Sequence, residues 1–153
     1  MRGKWLDVGC GPVSVLERTP IYVLRAIDPG MYKYSVDLPE FSKLGVVGMN
    51  TYYQACPIQD VQDTDFDYVW CFNILDHTAD WQGIVQNFAR VLRTGGKALI
   101  STDIRTFTDQ YHIAVFTADE LLQELRSDGF FVEWLSEIKD EKLYRFSVRA
   151  VKT

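Results

Sequence analysis

The sequence predicts a three-layer α/β domain with a mostly parallel sheet that ends in an antiparallel hairpin. Short apolar runs typical of buried strands alternate with helical segments along most of the 153 residues, and such alternation favours a parallel sheet with helices on both faces. Near the end, two strand-like segments over 130–137 and 143–151 flank the polar residues 139–142, which is a hairpin pattern. No repeat or linker divides the chain, so we expect one domain over residues 1–153.

The first half contains three expected strands. They lie at 5–8, 21–27 and 51–55. A short helix is expected over 13–18, because Pro12 suits the first turn of a helix and Pro20 stops it. A second helix is expected over 31–36, and the following stretch is interrupted by Pro39, Gly45 and Gly48.

The second half has the clearest periodicities. A nearly continuous apolar strand is expected over 66–72, and a fifth strand over 97–102. Between them, a helix over 80–92 is predicted by apolar residues at helical spacing, with Gly95 and Gly96 ending it. The sequence Thr-Ala-Asp-Glu at 117–120 is a capping box that opens a further helix, and Gly129 follows that helix.

Composition narrows the class of protein. Hydrophobic residues make up 47% and the net charge is −5, and the basic residues are scattered, so we expect no nucleic-acid partner. No apolar run reaches the roughly 20 residues that span a bilayer, and no signal peptide is evident, so we expect no membrane partner and a cytoplasmic protein. The three cysteines lack Cys-x-x-Cys spacing, which argues against disulfides and a structural metal site.

Candidate ligand-binding residues follow the expected strands. In an open parallel sheet, ligands bind outside the carboxyl ends of the strands. The residues at those positions are Asp7, Gly9, Cys10, Gly11, Asp28, Pro29, Ala55, Cys56, Phe72 and Asn73. The glycines allow close backbone approach to a ligand, and a carboxylate at Asp28 can accept both hydroxyls of a ribose.

Two ribose-containing cofactors match a glycine turn followed by an acid about 20 residues later. A dinucleotide would bring its pyrophosphate close to Asp7, which places negative charge beside negative charge. S-adenosylmethionine would instead bring a cationic sulfonium and a zwitterionic tail, which a nearby carboxylate favours. Electrostatics therefore favours S-adenosylmethionine, and a dinucleotide-binding oxidoreductase is the weaker alternative.

Four ordered segments resemble the motifs of class I S-adenosylmethionine-dependent methyltransferases. Leu-Asp-Val-Gly-Cys-Gly-Pro (6–12) is similar to the first motif and Ala-Ile-Asp-Pro (26–29) to the second. Phe-Asp-Tyr-Val-Trp-Cys-Phe-Asn-Ile-Leu-Asp-His (66–77) resembles the fourth-strand motif, and residues 87–100 resemble the helix, double-glycine turn and fifth strand. The resemblance implies a Rossmann-like, doubly wound sheet of seven strands and S-adenosylmethionine as cofactor.

The resemblance also implies roles for individual residues. Asp7, Gly9 and Gly11 would face the methionine part, and Asp28 the ribose. The segment at 55–56 would flank the adenine, and residues 72–73 would lie at the amino group or sulfonium. The sequence departs from the family at Val13, where a third glycine is usual, and after the third strand, where Asp60 is a displaced substitute for the acid that binds adenine.

The two histidines and the open edge complete the expectations. His112 follows the fifth strand and is the candidate general base, with an exposed loop histidine as the alternative. His77 is expected to orient the segment that leads into the next helix and is also a candidate cofactor-binding residue. Family members usually carry helices before the first strand, which here begins near Lys4. We therefore expect an exposed apolar edge, including the loop 106–116, where a second copy or a partner chain completes the pocket for a small-molecule acceptor. The alternative is that residues 31–50 fold over this edge and the protein is a monomer. The competing function is a non-catalytic cofactor-binding subunit or sensor.

Overall fold

One seven-stranded sheet and three α-helices form the described part of the chain, which in this computed structural model comprises residues 3–40, 50–140 and 144–153. The strands are β1 (Lys4–Val8), β2 (Val23–Ile27), β3 (Thr51–Gln54), β4 (Phe66–Phe72), β5 (Leu92–Asp103), β6 (Phe130–Lys139) and β7 (Tyr144–Lys152). The helices are α1 (Met31–Asp37), α2 (Trp81–Val91) and α3 (Ala118–Ser127).

The strand order is β3-β2-β1-β4-β5-β7-β6. Strands β1 to β5 pair with one another in parallel, and β7 runs antiparallel between β5 and β6. The predicted fold class is therefore confirmed. The order reverses at β1, because the chain moves outward through β2 and β3 before it returns to β4 on the other side. Ligands of such sheets bind at this reversal, outside the carboxyl ends of the strands.

Helices α2 and α3 cover one face of the sheet. The buried side of α2 carries Trp81, Val85, Phe88 and Val91, as its apolar spacing predicts. Its first turn is capped by the Asp80 carboxylate, which accepts a hydrogen bond from the amide of Gly83 at 3.1 Å. The predicted capping box of α3 is confirmed, since Thr117 and Glu120 each accept a bond from the other's amide.

The opposite face is covered by α1 and by the segment between β1 and β2. Met31 of α1 packs on Ala26 and Tyr53, and Leu16 and Ile21 pack on Trp5 and Leu24 of the strands. Alternation along a strand places these side chains on the face away from α2. Helical cover on both faces gives the three layers that the sequence predicts.

The prediction of a short helix over 13–18 is wrong, because this segment forms consecutive turns. The Ser14 hydroxyl donates to the Asp7 carboxylate and accepts a bond from the amide of Leu16. Serine side chains that bond to the local backbone compete with helical hydrogen bonds. The branched side chains of Val13 and Val15 further weaken the helix between the two prolines.

The boundary between α2 and β5 also differs from the prediction. Gly95 and Gly96 do not end the helix; α2 stops at Val91 and the chain turns extended at Leu92. The glycines lie in a register shift of β5 against β4, where Gly95 has a φ of +76°. The predicted interruptions at 45 and 48 and the hairpin residues 141–143 lie outside the described residues. Among those that are described, no helix is long and apolar enough to cross a membrane.

Candidate functional site

A cavity of about 560 Å³ opens at the carboxyl ends of β1, β2 and β4. It lies at the reversal of strand order, where the topology places a ligand. The predicted binding residues on its wall are Gly9, Gly11, Asp28, Pro29, Cys56, Asn73 and His77. Residues from four separate strand ends therefore meet around one space.

The glycine turn after β1 forms one wall. Gly9 and Gly11 have φ angles of +71° and +64°. This is a left-handed backbone conformation that residues other than glycine adopt only at a cost in free energy. A Cβ at Gly9 would collide with the side chain of Ile74, whereas a Cβ at Gly11 would meet no described atom within 4 Å. Gly9 therefore permits close internal packing, and Gly11 leaves the cavity open.

Asp28 links the glycine turn to the end of β2. Its Oδ2 accepts a bond from the amide of Gly11 at 3.0 Å, and its Oδ1 accepts one from the amide of Gly30 at 2.7 Å. The carboxylate is buried and lies on the cavity wall. Each carboxylate oxygen can accept more than one hydrogen bond, so Asp28 can hold the turn and still accept from ligand hydroxyls.

Asp7 lies outside the cavity lining, behind the glycine turn. Its carboxylate accepts a bond from the Ser14 hydroxyl and is only 3% exposed. Burial raises the pKa of Asp7 to about 6, the bond from Ser14 opposes this, and the charge of Asp28 adds to it. Asp7 thus anchors the segment after the glycine turn through Ser14, and its place beside the methionine part stays a prediction.

Cys10, Ala55 and Phe72 also lie outside the lining. Phe72 continues the alternation of β4 onto the face away from α2, where its ring stacks on Trp70 at 4.0 Å between centroids. Cys10 and Ala55 pack beside the buried contact of α1 with the sheet. Burial raises the pKa of the Cys10 thiol well above its usual range, so this thiol stays protonated. Packing of these three side chains against their neighbours keeps them off the lining, and their contacts with the cofactor stay predictions.

Several residues that line the cavity were not predicted from the sequence. They are Val8, Ile27, Tyr34, Pro57, Ile58, Gln59, Ile74, Thr78, Asp80 and Ile84. In the 3₁₀ turn Ile58–Asp60, Gln59 lies on the wall, whereas Asp60, the expected partner of the adenine, is exposed and outside the lining. Asp80 was recognisable only as a helix cap, and its position on the wall depends on how α2 docks.

His77 connects the cavity to a polar cluster beside it. Its Nδ1 donates to the carbonyl of Tyr111 at 2.8 Å, because a carbonyl can only accept. Its Nε2 therefore accepts from the side-chain amide of Asn73 at 3.1 Å. The bond from Arg145 to Asn73 Oδ1 orients that amide. The predicted role of His77 in orienting this segment is consistent with these bonds.

His112 lies next to His77, with ring centroids 4.5 Å apart, and outside the cavity lining. Its Nδ1 donates to the carboxylate of Asp109 at 2.9 Å, and its Nε2 accepts from Arg105 at 3.1 Å. The amide of Tyr111 and the ring of His112 hold the pKa of Asp109 well below its usual range. Asp109 is therefore an ionised acceptor for the ring.

Comparison with known proteins identifies the family to which this chain belongs. A family profile described as "Methyltransferase domain" matches residues 6–100. The chain is 27% identical over 148 residues to a ubiquinone biosynthesis O-methyltransferase of Alkalilimnicola ehrlichii, covering 95% of this chain and 58% of that protein. It is 34% identical over 108 residues to the protein of that name from Idiomarina loihiensis, covering 65% and 42%. The chain thus spans about half the length of the curated relatives it matches.

The fold is also found in a solved structure with cofactor. Magnesium protoporphyrin IX methyltransferase from Synechocystis, crystallised with bound S-adenosylmethionine, has a TM-score of 0.69 at 14% identity, covering 99% of this chain and 70% of that one. S-adenosylmethionine, the cofactor predicted from the motifs, is the cofactor of the family. With more than half of its residues matched by the family profile, this chain belongs to the class I S-adenosylmethionine-dependent methyltransferases.

Proposed function

We propose that this chain binds S-adenosylmethionine in the cavity and transfers its methyl group to a hydroxyl of a small molecule. The cavity at the ends of β1, β2 and β4 carries the proposal, because it combines an open glycine turn with the buried carboxylate of Asp28. The O-methyltransferase names of the relatives support oxygen as the acceptor atom. A fold alone does not determine the reaction, so the site and these relatives are the basis for it.

The ligand is oriented by complementary groups in this proposal. The ribose hydroxyls would donate to Asp28, and the methionine part would lie over Gly9 and Gly11. The adenine would lie against Pro57 and Ile58, which supply an apolar wall. Methyl transfer is a displacement along the line from acceptor oxygen through methyl carbon to sulfur, so fixing that alignment supplies much of the catalysis.

Calorimetric titration tests the cofactor site. We expect S-adenosylmethionine and its demethylated product to bind, and Asp28→Asn to weaken both by about tenfold or more, since hydrogen bonds to a charged acceptor contribute about 1.5–3 kcal/mol. Asp37→Asn is the matched control, because Asp37 is an exposed carboxylate of α1 paired with Lys33. Equal or tighter binding of a nicotinamide dinucleotide would instead favour an oxidoreductase.

Turnover tests the second half of the proposal. We expect the purified chain to release demethylated cofactor in the presence of small hydroxylated aromatic compounds. The role of His112 as general base stays a prediction, and its bond to Asp109 supports it. Binding of the cofactor without turnover, alone and with candidate partners, would favour the non-catalytic subunit or sensor.

A second chain completes the acceptor pocket in our proposal. The loop after β5 exposes Phe107, Tyr111, Ile113 and Val115, each about half exposed or more. Exposed apolar side chains grouped in this way are typical of interfaces. Light scattering that shows a monomer of 17.6 kDa with full methyl-transfer activity would contradict this. We also propose a cytoplasmic location, which the three free thiols support.

A further inference from the structure

Asp76, His77 and His112 form a compact cluster beside the cavity. One oxygen or nitrogen atom of each lies within 4.8 Å of the others. The Oδ2 of Asp76 is 3.9 Å from the Nε2 of His77 and 3.9 Å from the Nε2 of His112. Asp76 and His77 follow β4 and His112 follows β5, so adjacent parallel strands bring the three together.

Each histidine presents an unprotonated nitrogen to this cluster. The Nδ1 of His77 donates to a backbone carbonyl and the Nδ1 of His112 donates to the Asp109 carboxylate. Both Nε2 atoms therefore carry lone pairs, which accept hydrogen bonds from Asn73 and Arg105, and both lie 3.9 Å from the Oδ2 of Asp76. A metal ion bound here would replace these two hydrogen bonds. Histidines that bind metals almost always donate their other ring nitrogen to a carbonyl or a carboxylate, which fixes the ring and raises its basicity.

Asp76 is the independent observation that points to a ligand. Its side chain is completely buried, and its Oδ1 accepts a bond from the Thr102 hydroxyl at 3.2 Å. Its Oδ2, which faces the two histidines, accepts no hydrogen bond from any described residue. A buried carboxylate oxygen without a hydrogen bond is costly and calls for a cation.

Arg105 is the cation nearest to that oxygen, but its contact is imperfect. Its Nε lies 3.6 Å from Asp76 Oδ2, and within the described chain this buried Nε has no hydrogen-bond partner either. The same guanidinium lies 3.8 Å from Asp109 and 3.9 Å from Asp103. It can therefore turn to these two carboxylates when another cation occupies the cluster.

We propose that Asp76, His77 and His112 bind a divalent transition-metal ion such as Zn²⁺, Fe²⁺ or Mn²⁺. Two imidazoles and one carboxylate suit such ions, whereas Mg²⁺ prefers oxygen ligands alone. Donors around a metal at about 2.1 Å lie roughly 3.4 Å apart. The two 3.9 Å distances therefore need to close by about 0.5 Å, and the distance between the two histidine nitrogens, which is within 4.8 Å, by at most about 1.4 Å. Three protein ligands leave coordination positions open, and His77 lies on the wall of the cofactor cavity.

The open position suggests a role, which rests on the proposed methyl transfer. An acceptor hydroxyl bound to the metal would lose its proton to water more readily, because the ion stabilises the oxyanion. The oxygen would then form a bond to the methyl carbon, and the carbon–sulfur bond would break with its electron pair remaining on sulfur. Under this role His112 is a metal ligand, and the metal replaces it as the means of activating the hydroxyl.

Direct metal binding tests the site without any activity measurement. The chain stripped with a chelator is titrated with Zn²⁺ by calorimetry and with Co²⁺ by visible absorption, and Mg²⁺ serves as the comparison ion. We expect one equivalent of Zn²⁺ or Co²⁺ to bind and Mg²⁺ to bind far more weakly. His112→Gln and Asp76→Asn should lower the affinity at least tenfold, and Asp109→Asn about 10- to 100-fold.

Two further variants keep the proposal falsifiable. Asp119→Asn, an exposed carboxylate of α3, should leave the affinity unchanged. Arg105→Gln retains all three ligands and removes the competing charge, so it should bind the metal more tightly even if Asp76→Asn fails to fold. Absence of saturable binding, binding that His112→Gln leaves intact, or weaker binding by Arg105→Gln would each overturn the proposal. These titrations contain neither S-adenosylmethionine nor an acceptor, so a failure of the metal site is distinguishable from a failure of the methyltransferase function.

Discussion

Replacing Asp7 by asparagine tests the electrostatics behind the glycine turn. Burial places the pKa of Asp7 at about 6 in the folded chain, against 3.8 for the ordinary carboxyl. Above pH 6 Asp7 is therefore ionised in both states, and its negative charge is less stable in the folded chain than in the unfolded chain. Each pKa unit corresponds to about 1.4 kcal/mol, so the penalty on the free energy of unfolding reaches about 3 kcal/mol.

The sign of the pH dependence follows from which state binds the proton more tightly. Between about pH 4 and pH 6 the folded state holds the Asp7 proton and the unfolded state has released it, so this group makes the protein less stable as pH rises. Asparagine has no proton to lose there. The free energy of unfolding of Asp7→Asn minus that of the wild type should therefore increase by about 2 kcal/mol from roughly pH 4.5 to 7.5.

Urea unfolding followed by tryptophan fluorescence measures this difference at each pH, since the chain has 4 tryptophans. The matched control is Asp67→Asn. Asp67 accepts from the amide of Lys4 and from Arg93, and these bonds lower its pKa. The ionised Asp67 carboxylate stabilises the folded chain, and this contribution is complete above about pH 4.5. The free energy of unfolding of Asp67→Asn minus that of the wild type should therefore be negative and independent of pH over the same range. A flat or falling curve for Asp7→Asn would refute the reasoning.

Three further variants test the glycine turn, the core and a helix cap. Gly11→Ala should lower the free energy of unfolding by only about 1–2 kcal/mol, the cost of a left-handed conformation, but should weaken binding of S-adenosylmethionine about tenfold or more by calorimetry; unchanged binding would contradict a ligand over this turn. Phe88→Ala, at a completely buried ring of α2, should cost about 3–5 kcal/mol in urea unfolding, and a loss below about 1 kcal/mol would mean that the ring is not packed as described. Thr117→Ala removes the side-chain acceptor that caps α3 and should cost about 1 kcal/mol, whereas Thr117→Ser should retain most of the stability.

Local chemistry made much of the fold predictable from the sequence. The apolar run at 66–72 is β4 with the same bounds, and the periodicity of α2 and the capping box of α3 have the predicted positions. These features depend on residues close in sequence, so a short window carries the information. The segment 13–18 was mispredicted because Ser14 bonds to Asp7, a contact across the sheet's first turn that outweighs the helical tendency.

The sequence by itself determined which strand ends carry candidate binding residues, because glycines and acids after apolar runs are visible in the chain. Only the tertiary structure decided which of them share the cavity: alternation along β4 turns Phe72 away, while Asn73, one residue later, lies on the wall. The cluster of Asp76, His77 and His112 was equally hidden, since no metal-ligand spacing connects residues 76 and 112 along the chain. The pairing of β4 with β5 places the ends of these strands side by side, and contacts of this kind arise from the sheet as a whole.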